Sequence, residues 1–310
     1  MIKNTFTIRY YRSSDFENYV RLQIETEAHD RSGRYTSRQR LVEDLGHPRF
    51  HPENNLLVAE RDGSLIGYVS VFLEPGIGRA LLDGLVSPPH RKKGIATKLM
   101  EHAIQHARKA GLNVAQICIP QTSRAAKNLM IRLGLQFIRR FIGMKLDLGT
   151  SRLPDVTPDN YTIRHLQHGE AQLLTDIQNR SFADAWGFNP NTRDEIAYRI
   201  NSSSCSAKDI IMACRGNNPI GYCWTRIRVG ENLPAERIKG EIHMLGVDPD
   251  FRKQGVGRTV LLAGLAHLKN KGIRLVELTT DGEDPAAYRL YESIGFKKSM
   301  ISEWYEKKLI

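Results

Sequence analysis

Cysteine is scarce in this chain, and its four copies stand apart. Cys118, Cys205, Cys214 and Cys223 form no C-x-x-C pair, so neither a zinc site nor a disulfide framework is indicated and the thiols read as reduced. No run approaches the roughly twenty uncharged apolar residues of a membrane span. The opening Met1-Ile2-Lys3-Asn4-Thr5-Phe6-Thr7-Ile8-Arg9 lacks the apolar stretch of a secretion signal. These absences lead us to expect a cytoplasmic protein with no membrane partner and no metal. Aromatic residues make up only 8% of the chain and do not interleave with basic ones as in known nucleic-acid modules, which argues against nucleic acid as the partner.

What is present is length and positive charge. The 310 residues, 41% of them hydrophobic, suffice for two packed cores. The net charge of +11 is uneven: residues 1–150 carry 23 Lys and Arg against 14 Asp and Glu, and the remainder carries 22 against 20. A basic half suits an anionic cofactor or a nucleic acid, and a solvated basic surface explains it equally well.

The chain then repeats itself at a fixed interval. Arg91/Arg252, Gly94/Gly255, Ala96/Gly257, Gly111/Gly272, Ala126/Ala287 and Gly134/Gly295 all lie 161 residues apart. Such regularity indicates one duplicated unit. Each half opens with a short alternating segment, Phe6–Tyr10 and Tyr161–Arg164, and continues into a hairpin. The hairpins turn at Arg61-Asp62-Gly63-Ser64 and Arg215-Gly216-Asn217-Asn218. Gly67-Tyr68 matches Gly221-Tyr222 at an offset of 154, seven short, and we assign the extra residues to Val229–Ala235, a loop beside the second site. Apolar stripes at helical spacing, Leu99, Met100, Ala103, Ile104, Ala107 and Val260, Leu261, Gly264, Leu265, Leu268, are core. Asp147–Pro158, with Gly, two Pro and polar residues, suits a linker, which places the domains at 1–150 and 151–310.

The most informative segments are Val86-Ser87-Pro88-Pro89-His90-Arg91-Lys92-Lys93-Gly94-Ile95-Ala96 and Val247-Asp248-Pro249-Asp250-Phe251-Arg252-Lys253-Gln254-Gly255-Val256-Gly257. A turn between a strand and an amphipathic helix exposes successive backbone N–H groups at a helix N-terminus, which suits a phosphate. Gly255 and Gly257 are expected to keep Cβ atoms away from it. Each turn follows V-x-P and precedes a helix, a Gly-led strand and an A-A-x-x-L-x-x-x-G segment.

The whole arrangement resembles the GNAT family of N-acetyltransferases, over nearly all of each half. The resemblance implies two tandem α/β (α+β) domains, each a mixed, mostly antiparallel twisted sheet flanked by helices. It implies acetyl-CoA with its pyrophosphate on the turn and its pantetheine between two strands that splay apart. The implied contacts are Leu245, Gly246, Val247, Arg252, Lys253, Gln254, Gly255, Val256, Gly257 and Arg258, and in the first copy Leu85, Val86, Arg91, Lys92, Lys93, Gly94, Ile95 and Ala96. The family usually has Asn opening the last helix, whereas this chain has Asp284 and Ser123.

The copies differ where acyl transfer needs proton carriers. The 161-residue offset sets Glu241 against Ala80 and Tyr291 against Met130. The resemblance makes Glu241 the base for a primary amine and Tyr291 the acid for the CoA thiolate, which selects the C-terminal half as catalytic. Strict alternation puts His243 on the face of Glu241, as a substitute base. Asp83 aligns with Met244. Leu245 or Gly246 is expected to give a backbone N–H to the oxyanion. Gly221–Arg226 and Gly240–Pro249 are also similar to the mycothiol synthase branch of tandem GNAT proteins, where Arg226 falls on a basic substrate contact. Asn179–Pro190 lacks that branch's acidic sugar-binding element, so the chemistry carries over and the acceptor does not. A small-molecule amine is the expected substrate. Alternatives are a protein or peptide N-acetyltransferase and a non-catalytic CoA-binding sensor.

Overall fold

The computed structural model describes residues 6–30, 36–154, 158, 160–228 and 238–310. In chain order the first elements are β1 (Thr7–Tyr10), α1 (Phe16–Asp30), α2 (Arg38–Leu45), α3 (Pro52–Asn55), β2 (Leu56–Arg61), β3 (Ser64–Glu74) and β4 (Arg79–Val86). They continue as α4 (Ile95–Lys109), β5 (Val114–Pro120), α5 (Arg124–Arg132) and β6 (Gln136–Asp147). The second series is β7 (Thr162–His165), α6 (Ala171–Phe182), α7 (Arg193–Ile200), β8 (Ile210–Arg215), β9 (Asn218–Arg228) and β10 (Lys239–Val247). It ends with α8 (Val256–Asn270), β11 (Leu275–Asp281), α9 (Pro285–Ile294) and β12 (Lys297–Lys308).

These elements form two compact units, one of residues 1–140 and 301–310, the other of residues 141–300. The division is not the linear one at residue 150. Phe141–Asp147 of β6 pair antiparallel with β11, while Ser302–Lys308 of β12 pair antiparallel with β5. Each unit thus takes its last strand from the other half of the sequence. The repeat conceals this, because β6 and β12 lie 161 residues apart and follow α5 and α9 in the same way. The expected linker is also partly structure. Leu148 is buried, its N–H donates to the Arg274 carbonyl at 2.7 Å, and Asp147 is ion-paired with Arg274. Residues 155–157 of that segment lie outside the described residues.

The first unit's sheet runs β1-β2-β3-β4-β5-β12 and the second's β7-β8-β9-β10-β11-β6. All described pairs are antiparallel except β4–β5 and β10–β11. Those two are parallel because α4 and α8 cross over between them. Both sheets are therefore mixed and mostly antiparallel, as the sequence led us to expect.

Helices cover both faces. In the second unit α8 buries Val256, Val260, Leu261, Leu265 and Leu268 against Ile242, Val276 and Cys223. On the other face α6 and α7 pack Leu174, Ile177 and Ile196 on Tyr222 and Trp224. Burying each such leucine contributes about 1.5–3 kcal/mol, so these stripes fix which strand residues face which layer. All four cysteines are unpaired. Among the described residues no helix is long and apolar enough to cross a membrane, and no cluster of His, Cys, Asp and Glu could hold a metal ion.

Candidate active site

The turns after β4 and β10 have the same backbone. Lys92 and Lys253 both sit at φ 60°, and Gly94 and Gly255 at 80° and 81°. The second position requires glycine and the first strains a lysine. The first helical bonds run from the Lys98 N–H to the Gly94 carbonyl and from the Thr259 N–H to the Gly255 carbonyl. The N–H groups of residues 94–97 and 255–258 thus have no partner within their helices, and they crowd the positive end of a helix dipole. At Gly257 a Cβ would face Val247 Cγ2 at 3.3 Å, so its smallness also serves the packing of the helix on the strand.

Side chains around the turn divide into two groups. Val86, Ile95 and Val256 are buried in the cores and leave only their backbone to the turn. Arg252 donates to the carbonyls of Val247 at 3.4 Å and Ser181 at 2.9 Å. Arg91 donates to the Val86 carbonyl at 2.9 Å and pairs with Asp30. The two repeated arginines, expected as phosphate contacts, each bond the carbonyl of the residue that ends the preceding strand. Lys93 reaches the Pro89 carbonyl at 3.0 Å, Gln254 the Asp250 carbonyl at 3.1 Å, and Arg258 the Ser293 hydroxyl at 2.9 Å. Lys92 and Lys253 are exposed.

The strands leading into each turn splay apart. β10 pairs with β11 only from Lys239–Leu275 to Ile242–Leu278, and β4 with β5 only from Arg79–Val114 to Leu82–Ile117. Met244 to Val247 keep partners on β9 and have none on β11. Leu245 and Gly246 therefore lie where the sheet opens.

One difference between the units concerns the chemistry directly. Across β9, Ile242 faces Thr225 and Met244 faces Trp224, so His243 is one residue too many, a β-bulge with no counterpart in β4. Its consequence is a change of register. Glu241 pairs with Glu277, and Leu81 with Gln116, which lies 161 residues before Glu277. The counterpart of Glu241 is thus Leu81, and Ala80 corresponds to Gly240. This also corrects the hairpin count. Four residues separate β3 from β4 and ten separate β9 from β10, six more, and the seventh is the bulge. The loop Val229–Ala235 itself lies outside the described residues.

Glu241 points away from α8, towards the α6–α7 layer, opposite in direction to its buried neighbour Ile242. It is directly across from Arg226 and forms an ion pair with Arg228, with side-chain exposures of 17% and 29%. The His243 ring stands edge-on to Trp224, centroids 5.2 Å apart. His243 thus lies on the face of Glu241, as alternation expects, and the bulge brings Met244 to the same side. Arg226 lies over the same Trp224 ring at 5.0 Å. In the first unit the matching face holds Asp83, which accepts from the Tyr68 hydroxyl at 3.0 Å.

Tyr291 is on α9 and belongs to the core on the opposite, α8 side of the sheet, where its ring meets Phe296 at 5.9 Å. It is 7% exposed, and burial, with Cys223 and Asp284 adding to it, pushes its pKa well above the ordinary phenol value. Asp284 caps α9, accepting from the N–H groups of Ala286 and Ala287 at 3.0 Å each. Its carboxylate is committed to the helix. Met130, at the place of Tyr291 in the first unit, is buried in the core. Sequence reasoning missed Arg228 and Trp224, which a two-residue period back and forth from Arg226 would have put on its face.

Comparison with known proteins agrees with the fold. The family model described as Acetyltransferase (GNAT) family matches residues 18–135 and 171–296. The chain is 31% identical to a mycothiol acetyltransferase of Nocardia farcinica, over 80% of this chain and 81% of that one. It is 30% identical to a mycothiol acetyltransferase of Sanguibacter keddieii, over 81% and 80%. A GCN5-related N-acetyltransferase from Sphaerobacter thermophilus superposes with a TM-score of 0.75 at 20% identity, covering 100% of this chain and 97% of that one. A tandem GNAT protein from the clavulanic acid biosynthesis pathway does so with 0.73 at 18%, covering 99% of each. Two matches of the family model, one on each half, and these relatives show that the chain is an enzyme, a tandem acetyltransferase, and belongs to the GNAT family.

Proposed function

We propose that the second unit transfers the acetyl group of acetyl-CoA to the primary amine of a small molecule, by direct attack while both are bound. One observation carries this reading. The opening between β10 and β11 has Glu241 on one face of the sheet and Tyr291 in the layer on the other, whereas the same opening in the first unit has Leu81 and Met130. The relatives named mycothiol acetyltransferases support a small-molecule acceptor.

The residues present fit an acyl-CoA. N–H groups at Gly255–Arg258 that lack helical partners suit a pyrophosphate, with Lys253 exposed beside them, and β10 and β11 stop pairing past Ile242, where an extended chain would lie. When bound, acetyl-CoA supplies an activated thioester. Glu241 then takes the proton of the attacking amine, through water, as nitrogen–carbon bond formation proceeds. A backbone N–H of Leu245 or Gly246, at the open edge of β10, stabilises charge on the carbonyl oxygen. Tyr291, kept protonated by its burial, gives its proton to the departing sulfur as the carbon–sulfur bond breaks. The first unit, with the turn and without both proton carriers, serves a structural or regulatory role. Release of CoA from acetyl-CoA, measured over a panel of primary amines, tests the reading. Turnover with at least one small amine is expected, and binding of acetyl-CoA without CoA release from any amine would overturn it in favour of a sensor.

A further inference from the structure

The face that carries Glu241 holds more positive than negative charge. Arg226 and Arg228 share it by the two-residue period of β9, and Arg199, in the last turn of α7, is close enough to act on Arg226 electrostatically. Among the described charged groups acting most strongly on Arg226, the one carboxylate is Glu241, which is already paired with Arg228. Arg199 also donates to Asn191 Oδ1 at 3.3 Å.

Arg226 is the unusual member. Its guanidinium is laid over Trp224, and its Nε is buried with no hydrogen-bond partner among the described residues. Burial first, and then Arg199 and Arg228, hold its pKa below the ordinary arginine value, while Cys205 and Glu241 oppose them. A protein does not keep an unmatched buried cation donor cheaply. The Trp ring fixes the plane of a fork whose geometry matches carboxylate and phosphate oxygens.

We infer that Arg226 binds an anionic group of the acceptor, so that the acceptor class is a primary amine carrying a carboxylate or phosphate a few bonds from its nitrogen. The short separation follows from the strand register. Glu241 and Arg226 are direct cross-strand partners, whose Cβ atoms stand about 5 Å apart in such pairs. This rests on the proposed role of Glu241 as proton acceptor. His243, on the same ring of Trp224, borders the site.

The test is calorimetric titration of the full chain, at saturating CoA, with matched acids and neutral analogues. Glycine, β-alanine and γ-aminobutyrate are set against their amides, and O-phosphoethanolamine against ethanolamine. At least one acid is expected to bind ten-fold or more tightly than its neutral partner. Preference in the first set identifies a carboxylate and in the second a phosphate. Arg226→Gln is expected to bring each pair within two-fold, and Arg226→Lys, which keeps the charge and loses the fork, to fall between. Should Arg226→Gln fail to fold, the lysine variant gives the comparison. Equal affinity within every pair for the parent, no binding of any acid, or a preference that survives loss of the arginine would overturn the inference. Turnover is read separately: CoA release that favours neutral amines overturns the anion site and leaves acetyl transfer standing, whereas acid-selective binding without CoA release does the reverse.

Discussion

Glu241 is held by Arg228 in an ion pair on the face that β9 and β10 share, and the residue directly across from it is Arg226. The carboxylate is thereby aimed by a strand neighbour and does not lie loose on the surface. Glu241→Gln keeps the shape and removes the ability to accept a proton. Turnover should fall by about 10²- to 10⁴-fold, with acetyl-CoA affinity nearly unchanged. Steady-state kinetics alongside direct titration of acetyl-CoA check it, and a variant with parental turnover would transfer the role to His243.

The paired turns allow an internal control. Gly255→Ala forces a Cβ into the left-handed conformation at φ 81°, at a cost of about 1–2 kcal/mol, and tilts the N–H groups at the start of α8. Acetyl-CoA should bind roughly ten-fold more weakly to the catalytic site. Gly94→Ala imposes the same strain at φ 80° in the first unit and should leave turnover unaltered. A loss of activity from Gly94→Ala alone would mean that the first turn takes part in the reaction.

Asp209 supplies a pH signature remote from the chemistry. Burial opposes its ionisation, but hydrogen bonds from His267, Lys271 and Ser206 outweigh burial and hold its carboxyl well below the usual carboxylate range. A group lowered in this way adds stability that is complete above its unfolded value, near 4, and is lost as pH falls towards the folded value. Asp209→Asn should therefore cost about 3 kcal/mol at pH 7 and flatten the fall in stability below about pH 4. Thermal unfolding from pH 7 down to pH 3 measures this, and parallel curves for parent and variant would refute it.

The sequence made the repeat, the turns and the mixed sheet legible because each has a local signature: glycine spacing, apolar periodicity and hairpin chemistry. The exchange of β6 and β12 between units was invisible, since the two strands occupy the same place in the repeat and pairing is decided by tertiary contacts. The bulge at His243 was also hidden. One inserted residue leaves the downstream offset at 161 and shifts only the segment before it, so Glu241 was set against Ala80 when its counterpart is Leu81. In the turn, residue type suggests phosphate contacts at Arg91 and Arg252, and both guanidiniums also bond nearby backbone carbonyls. Local charge says that an anion is welcome and not which cation meets it.

The central claim is that one unit performs acyl transfer with Tyr291 as its proton donor. Tyr291→Phe keeps the buried ring against Phe296 and removes only the hydroxyl. Single-turnover CoA release with titrated acetyl-CoA should show the chemical step slowed at least ten-fold and acetyl-CoA affinity within two-fold of the parent. A chemical step as fast as the parent's would contradict the account.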